Sequence, residues 1–251
     1  MDQEVHWDNI STSYDEEVFD VFKSDKKGIL ASYFAKHKNR NAHATDFGCG
    51  TGKAFEYLSP SFKSVLAVDI SGECINVARE RGYRNVTYKR ADLTRKNLTL
   101  PEAQFGLCCN VAILPDVDSN RAILRTVRRG LANDANAIFV IPSLESIFFA
   151  SWVLLDWYKR EGVTPDQVPR HELKYYSGKK TDIIQGIINI NGVPTKHYSA
   201  SEIQFLFEEA GLEITALEKL EYDWSTEFDA PPSWLGAPYP WDWMVECRAR
   251  G

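Results

Sequence analysis

The stretch Asp46-Phe47-Gly48-Cys49-Gly50-Thr51-Gly52-Lys53 decides how this chain is read. Three glycines fall at alternate positions. Glycine has no Cβ and tolerates positive φ, so such a run turns tightly and brings backbone N–H groups close to an adenosine-type ligand. Upstream, residues 44–47 read as the end of a buried strand. Downstream, residues 53–58 resume helical spacing, which gives strand, loop and helix in that order. The spacing also sorts nucleotide loops. A Walker A loop needs four residues between its glycines and a Ser or Thr after its lysine, whereas three residues separate Gly48 from Gly52 and Ala54 follows Lys53. A dinucleotide fingerprint would put its third glycine where Lys53 stands.

Outward from the loop the same rhythm repeats. Residues 64–69 read as a parallel strand and 73–81 as its crossover helix, ended by Gly82. Further strands are expected at 86–89, 105–111 and 137–141, with a helix at 119–131, and repeated β-α-β units of this kind mean a parallel sheet with helices on both faces. Before the loop, residues 18–37 suggest two short helices broken near Ser24-Asp25. After residue 143 the rhythm breaks. A helix at 147–160, a Pro- and charge-rich loop, and two strand-like runs flanking Asn191-Gly192, a type I′ hairpin signal, form an apparent insertion. Ser199-Ala200-Ser201-Glu202 then reads as a capping box for a helix that Gly211 ends. Residues 217–224 and 241–248 close the chain as an antiparallel pair. The expectation is a single α/β domain over 1–251, with a doubly wound, mostly parallel seven-stranded sheet and an antiparallel closing strand. A helical lid at 1–40 and the insertion at 143–198 would cover an acceptor site.

A net charge of −6 repels phosphate backbones and argues against nucleic acid as partner. Arg121, Arg125, Arg128 and Arg129 recur at helical spacing, as a solvated helix face does. The five cysteines form no C-x-x-C pair, which points to a reducing compartment, to no disulfide framework and to no metal site. The N-terminus reads as acidic with no apolar targeting segment, and no stretch is long enough to span a bilayer, so a cytoplasmic protein without membrane association is expected. Oligomeric state leaves no signature in the sequence.

The block from Asp46 to Gly52 resembles motif I of the class I S-adenosylmethionine-dependent methyltransferases, D/E-x-G-x-G-x-G, at every defining position. In that family the second strand ends in an acid that binds both ribose hydroxyls, and Asp69, followed by Ile70, stands in the matching place; a carboxylate suits this because it accepts two hydrogen bonds. The adenine-side block resembles Ala91-Asp92-Leu93, and the fourth-strand block resembles the segment through Asn110-Val111. The resemblance implies S-adenosyl-L-methionine as cofactor, S-adenosyl-L-homocysteine as product, and Asp46, Gly48, Cys49, Gly50, Thr51, Gly52, Asp69, Ile70, Ala91, Asp92, Leu93, Asn110 and Val111 as its binding residues.

Methyl transfer from a sulfonium is an in-line displacement, so alignment in a dry pocket is the chief demand, and a base is needed only if the acceptor must lose a proton. Tyr14, His197 and Tyr198 are the candidates for that base, and with Trp224 for holding a small-molecule acceptor. Carboxylates that the metal-assisted members gather after the fourth and fifth strands are replaced here by Asn110 and Pro142-Ser143. Asp116 and Asp118 read as a solvated loop. Rings interleaved with acids over 222–243 suit a cationic amine or amino-acid-like acceptor. The alternatives are O-methylation of a small carboxylate or phenol, a catalytically silent cofactor-binding partner protein, and an NAD-dependent oxidoreductase.

Overall fold

The computed structural model describes residues 8, 20–169, 181–190 and 192–251. Asp20 caps α1 (Val21–Ser24) by accepting the Phe22 and Lys23 N–H groups, and Gly28, at φ +64°, opens α2 (Ile29–His37). The expected break at Ser24-Asp25 is therefore present. There follow β1 (Asn39–Phe47), α3 (Phe55–Leu58), β2 (Phe62–Asp69), α4 (Gly72–Glu80), β3 (Val86–Arg90), β4 (Ala103–Cys109), α5 (Val117–Arg129), β5 (Leu131–Pro142) and α6 (Leu144–Arg160). The hairpin β6 (Ile187–Ile190) and β7 (Val193–Lys196) precedes α7 (Ala200–Glu209), β8 (Leu212–Glu221) and β9 (Trp241–Ala249).

The strands form one seven-stranded sheet in the order β3-β2-β1-β4-β5-β9-β8. All pairs from β3 to β5 are parallel, and β9 is antiparallel to both β5 and β8, so β9 alone runs against the rest. The chain steps outward from β1 to β3, then crosses back to β4. Between the carboxyl ends of β1 and β4 the order reverses, and that crevice is where doubly wound sheets bind ligands. Two apolar layers sandwich the sheet. One holds Phe47, Phe139, Phe207 and Trp243, the other Phe34, Phe55, Phe105 and Met244.

Several boundaries differ from the sequence reading. β4 stops at Cys109 because Asn110 takes φ +54°, which ends an extended strand. β8 starts at Leu212, five residues early, since its pairing with β9 runs through to Ala249. The capping box forms only in part: the Ser199 hydroxyl accepts the Glu202 N–H, while the Glu202 carboxylate turns to the Lys196 ammonium at 2.8 Å. Of the expected lid, Tyr14 lies outside the described residues. Of its described part, α2 packs into the core, with Phe34 against Phe105. The insertion is closed at its neck on β5, where the Tyr198 N–H donates to the Pro142 carbonyl and the Leu144 N–H to the Tyr198 carbonyl. The arginines of α5 have assigned tasks: Arg121 and Arg125 clamp Glu209 of α7, and Arg128 bonds the Leu131 carbonyl. No helix among the described residues is long and apolar enough to cross a membrane.

Candidate functional site

The glycine loop is pinned at its start, where the Gly48 and Cys49 N–H groups both donate to the Val68 carbonyl of β2. Gly48, Gly50 and Gly52 all have positive φ. Two of them are also confined by space: a Cβ on Gly48 would lie 2.2 Å from a Val111 methyl, and one on Gly52 would lie 2.4 Å from the Phe55 ring. The backbone therefore approaches α3 and the loop after β4 more closely than any other residue allows. Val111 thus serves the loop by packing over Gly48. Cys49 and Thr51 are buried, and burial pushes the Cys49 thiol well up, so it stays protonated.

Two carboxyl groups, Asp69 and Asp46, border the loop. Asp69 is buried at the end of β2, where its Oδ2 accepts the Gly50 N–H at 2.8 Å and its Oδ1 the Ser71 N–H at 2.9 Å. Burial raises its pKa, and the two N–H bonds hold it back down. It is a preorganised acceptor with a lone pair left on each oxygen. The neighbouring block follows directly, since the Ala91 N–H donates to the Asp69 carbonyl and Leu93 is buried beyond it. The Ile70 carbonyl accepts from Arg90, and Asp92 folds its own turn by accepting the N–H and hydroxyl of Thr94.

Asp46 differs. It is 2% exposed at the end of β1, and its Oδ2 has no partner among the described residues. Burial first, and the Asp69 charge second, raise its pKa to about 8. Asn110, at the strained end of β4, likewise leaves Oδ1 buried and unpartnered. Both line a cleft open to solvent together with Gly48, Cys49, Lys53, Leu107, Cys109 and, from α1, Val21 and Phe22. Buried polar atoms without partners are rare in native folds and mark a place where something else supplies the hydrogen bond. Lys53, reached by Asp20 across 3.6 Å, puts a cation on the same wall. The sequence reading assigned Lys53 no role, although its place directly after Gly52 makes it a wall residue.

The residues expected to face an acceptor stand elsewhere. His197 is 4% exposed, its Nδ1 lies 3.1 Å from the Thr195 carbonyl, and burial pulls its pKa down to about 4. The Tyr198 ring is fully buried, its hydroxyl donates to the Ala112 carbonyl at 2.5 Å, and burial pushes its pKa far up. A tyrosine whose proton is already given to a carbonyl in an apolar site is a poor base. These placements depart from the acceptor-facing roles read from sequence, because the hairpin tucks 196–198 under the 110–113 loop. Trp224 is 2% exposed, stacks on Phe228 at 5.4 Å and donates its indole N–H to the Gly236 carbonyl, so it is a core ring of the cover. Asp116 caps α5 through Ser119, and Asp118 pairs with Arg121.

Residues 45–139 match the family model described as a methyltransferase domain. Methyltransferase cfoB of Aspergillus candidus is 28% identical over 128 residues, 46% of this chain and 40% of that protein, so the match spans about two fifths of the relative's length. Among solved structures, an S-adenosylmethionine-dependent methyltransferase of Methanosarcina mazei superposes with a TM-score of 0.62 at 16% identity, covering 87% of this chain and 97% of that one. DhpI, in its complex with SAM and HEP, gives a TM-score of 0.64 at 15% identity over 98% of this chain and 95% of that one. The chain carries a methyltransferase domain with the class I fold.

Proposed function

We propose that this chain, which carries a class I methyltransferase domain, transfers the methyl group of S-adenosyl-L-methionine to a nitrogen of a small amine or amino-acid-like molecule. The observation that carries the cofactor reading is the pair of buried, unpartnered oxygens, Asp46 Oδ2 and Asn110 Oδ1, on the cavity beside the glycine loop. A ligand bearing an ammonium group satisfies both. Asp69 then holds the ribose hydroxyls through its remaining lone pairs, Asp92 and Leu93 flank the adenine, and the Gly48 to Gly52 backbone lies against the tail. The bound cofactor supplies an electrophilic methyl on a sulfonium that leaves as a neutral thioether. The protein's part is to align and to exclude water.

The nitrogen acceptor is supported by the rings interleaved with acids over 222–243, Tyr222 and Asp242 among them, which suit a cation better than an anion. His197 and Tyr198 act by position in this reading. The Tyr198 hydroxyl and the Lys196 N–H hold the Ala112 and Ile113 carbonyls, which fixes the loop that carries Asn110.

Calorimetry with S-adenosylhomocysteine and with NADH tests the cofactor. One S-adenosylhomocysteine per chain, with thermal stabilisation on loading, is the expected result. Stabilisation by NADH alone would overturn it in favour of an oxidoreductase. A release assay across amines, phenols, carboxylates and thiols tests the acceptor, and turnover confined to phenols or carboxylates would replace N- by O-methylation.

A further inference from the structure

The cavity face of the sheet continues past β5 to β9 and β8. Side chains alternate along a strand. On β9, Trp241 and Trp243 pack into one layer and Met244 into the other, so Asp242 shares the face of Met244, the face that also carries Leu107, Cys109 and Tyr222. Register fixes its height. Cys109 pairs with Val140, Val140 with Met244, and Pro142 with Asp242, so Asp242 stands two residues closer to the carboxyl edge than Cys109, which lines the cavity. Sideways the two are two strand spacings apart, about 10 Å, the width of a small molecule.

Asp242 is held in place. The Tyr222 hydroxyl donates to its Oδ2 at 2.9 Å, and the Ser143 backbone at the start of α6 also bonds it. Burial pushes its pKa up to about 6 against those two bonds. The titratable groups acting around it are Tyr222 beyond β8, Cys109 of β4 and, on the far side of Tyr222, Asp25 ahead of α2. Burial keeps the Tyr222 hydroxyl and the Cys109 thiol protonated, so the charge at this end of the crevice comes from its carboxyl groups and favours a cation. A carboxylate that titrates near 6 is matched to accepting a proton at neutral pH.

Resting on the methyltransferase reading above, we infer that Asp242, oriented by Tyr222, is the acceptor-side group, and that it binds the protonated nitrogen of a small primary or secondary amine. The ammonium gives one proton to the Asp242 carboxylate. The freed electron pair forms the N–CH3 bond as the methyl–sulfur bond breaks onto sulfur, and Asp242 then loses its proton to solvent. An anionic acceptor is repelled by the same group.

The experiment uses the full chain saturated with S-adenosylhomocysteine, with benzylamine as probe and benzoate as its anionic counterpart. Calorimetry should detect benzylamine and not benzoate. Asp242→Asn should keep S-adenosylhomocysteine affinity within about twofold while benzylamine binding falls by about tenfold or more, the loss of one charge-assisted hydrogen bond. Tyr222→Phe removes a bond that lowers the Asp242 pKa, so the acidic limb of benzylamine binding should move to higher pH. Equal benzylamine binding by Asp242→Asn, benzoate binding as well as benzylamine, or no amine binding to the loaded wild type would each overturn the inference. Failure of the wild type to bind S-adenosylhomocysteine is a separate result, and it would overturn the cofactor reading itself.

Discussion

At the scale of single residues, Asp46 is the most exposed to test because its chemistry follows from one fact, a buried carboxyl with an empty hydrogen-bonding position. Its folded pKa of about 8 lies above the unfolded value near 4, so folding takes up a proton between those limits and the apo fold weakens as pH rises through that window. A ligand ammonium reverses the preference and expels the proton. S-adenosylhomocysteine binding at pH 7 should therefore release close to one proton, seen as a binding enthalpy that changes with the ionisation enthalpy of the buffer, and affinity should climb from pH 6 to 8. Asp46→Asn should abolish both effects. For Asp69, substitution by Ala removes the proposed ribose acceptor and two loop bonds together, so cofactor affinity should fall by about 2 kcal/mol and the melting point should drop as well. Unchanged calorimetric affinity in a folded Asp69→Ala protein would assign the ribose to another residue. The role of each aspartate is what these substitutions test, and the strand-end positions of both were legible in the sequence. Lys53 and Cys109 were not, because nothing local to them shows which way a wall residue faces.

At the scale of elements, the signals that worked were those with a local mechanism. Ser199 caps the helix that follows it, and Gly82 and Gly211 each take positive φ after one, whereas Asp116, read as a solvated loop, is itself a helix cap. The two strands expected on either side of Asn191-Gly192 pair as a hairpin, with Gly192 at positive φ. Orientation was not legible. His197 and Tyr198 look like acceptor residues in sequence because they precede a capped helix, yet the hairpin's return to Ile113 leaves both buried, with the Tyr198 hydroxyl on the Ala112 carbonyl. The consequence is measurable in Tyr198→Phe, which keeps the ring and strips the donor from the Ala112 carbonyl. Stability should fall by about 1 kcal/mol in urea melts, and S-adenosylhomocysteine affinity should weaken with it as the Asn110 loop loosens. A stable Tyr198→Phe protein with intact affinity but no turnover would instead restore the tyrosine to the acceptor side.

At the scale of the whole molecule, the β-α-β rhythm revealed the parallel half of the sheet, whereas the way the N-terminal helices fasten to the closing strands depends on pairs about two hundred residues apart, which no periodicity encodes. The fastening is a charged one. Glu246 of β9 is 3% exposed, with Oε1 accepting from Lys36 at 2.5 Å and lying 2.6 Å from His37 Nε2, and with Oε2 accepting the Thr215 hydroxyl at 2.8 Å. It joins α2, β8 and β9 at one point. Burial by itself would raise its pKa, but the bonds from Lys36, Thr215 and His37 outweigh that and hold it below the usual value. A carboxylate with a depressed folded pKa contributes stability that is fully present above its unfolded value, near 4.5, and is lost as pH falls through the folded one. Glu246→Ala should therefore cost about 2 kcal/mol at pH 7, because it removes the acceptor shared by Lys36, His37 and Thr215, and the difference from wild type should shrink as pH falls below about 4.5. Urea melts at pH 7 and pH 4 measure both. A loss of equal size at the two pH values would mean that Glu246 acts by packing alone, and that α2 is held to the sheet by its apolar face, Leu30 and Phe34, rather than by charge.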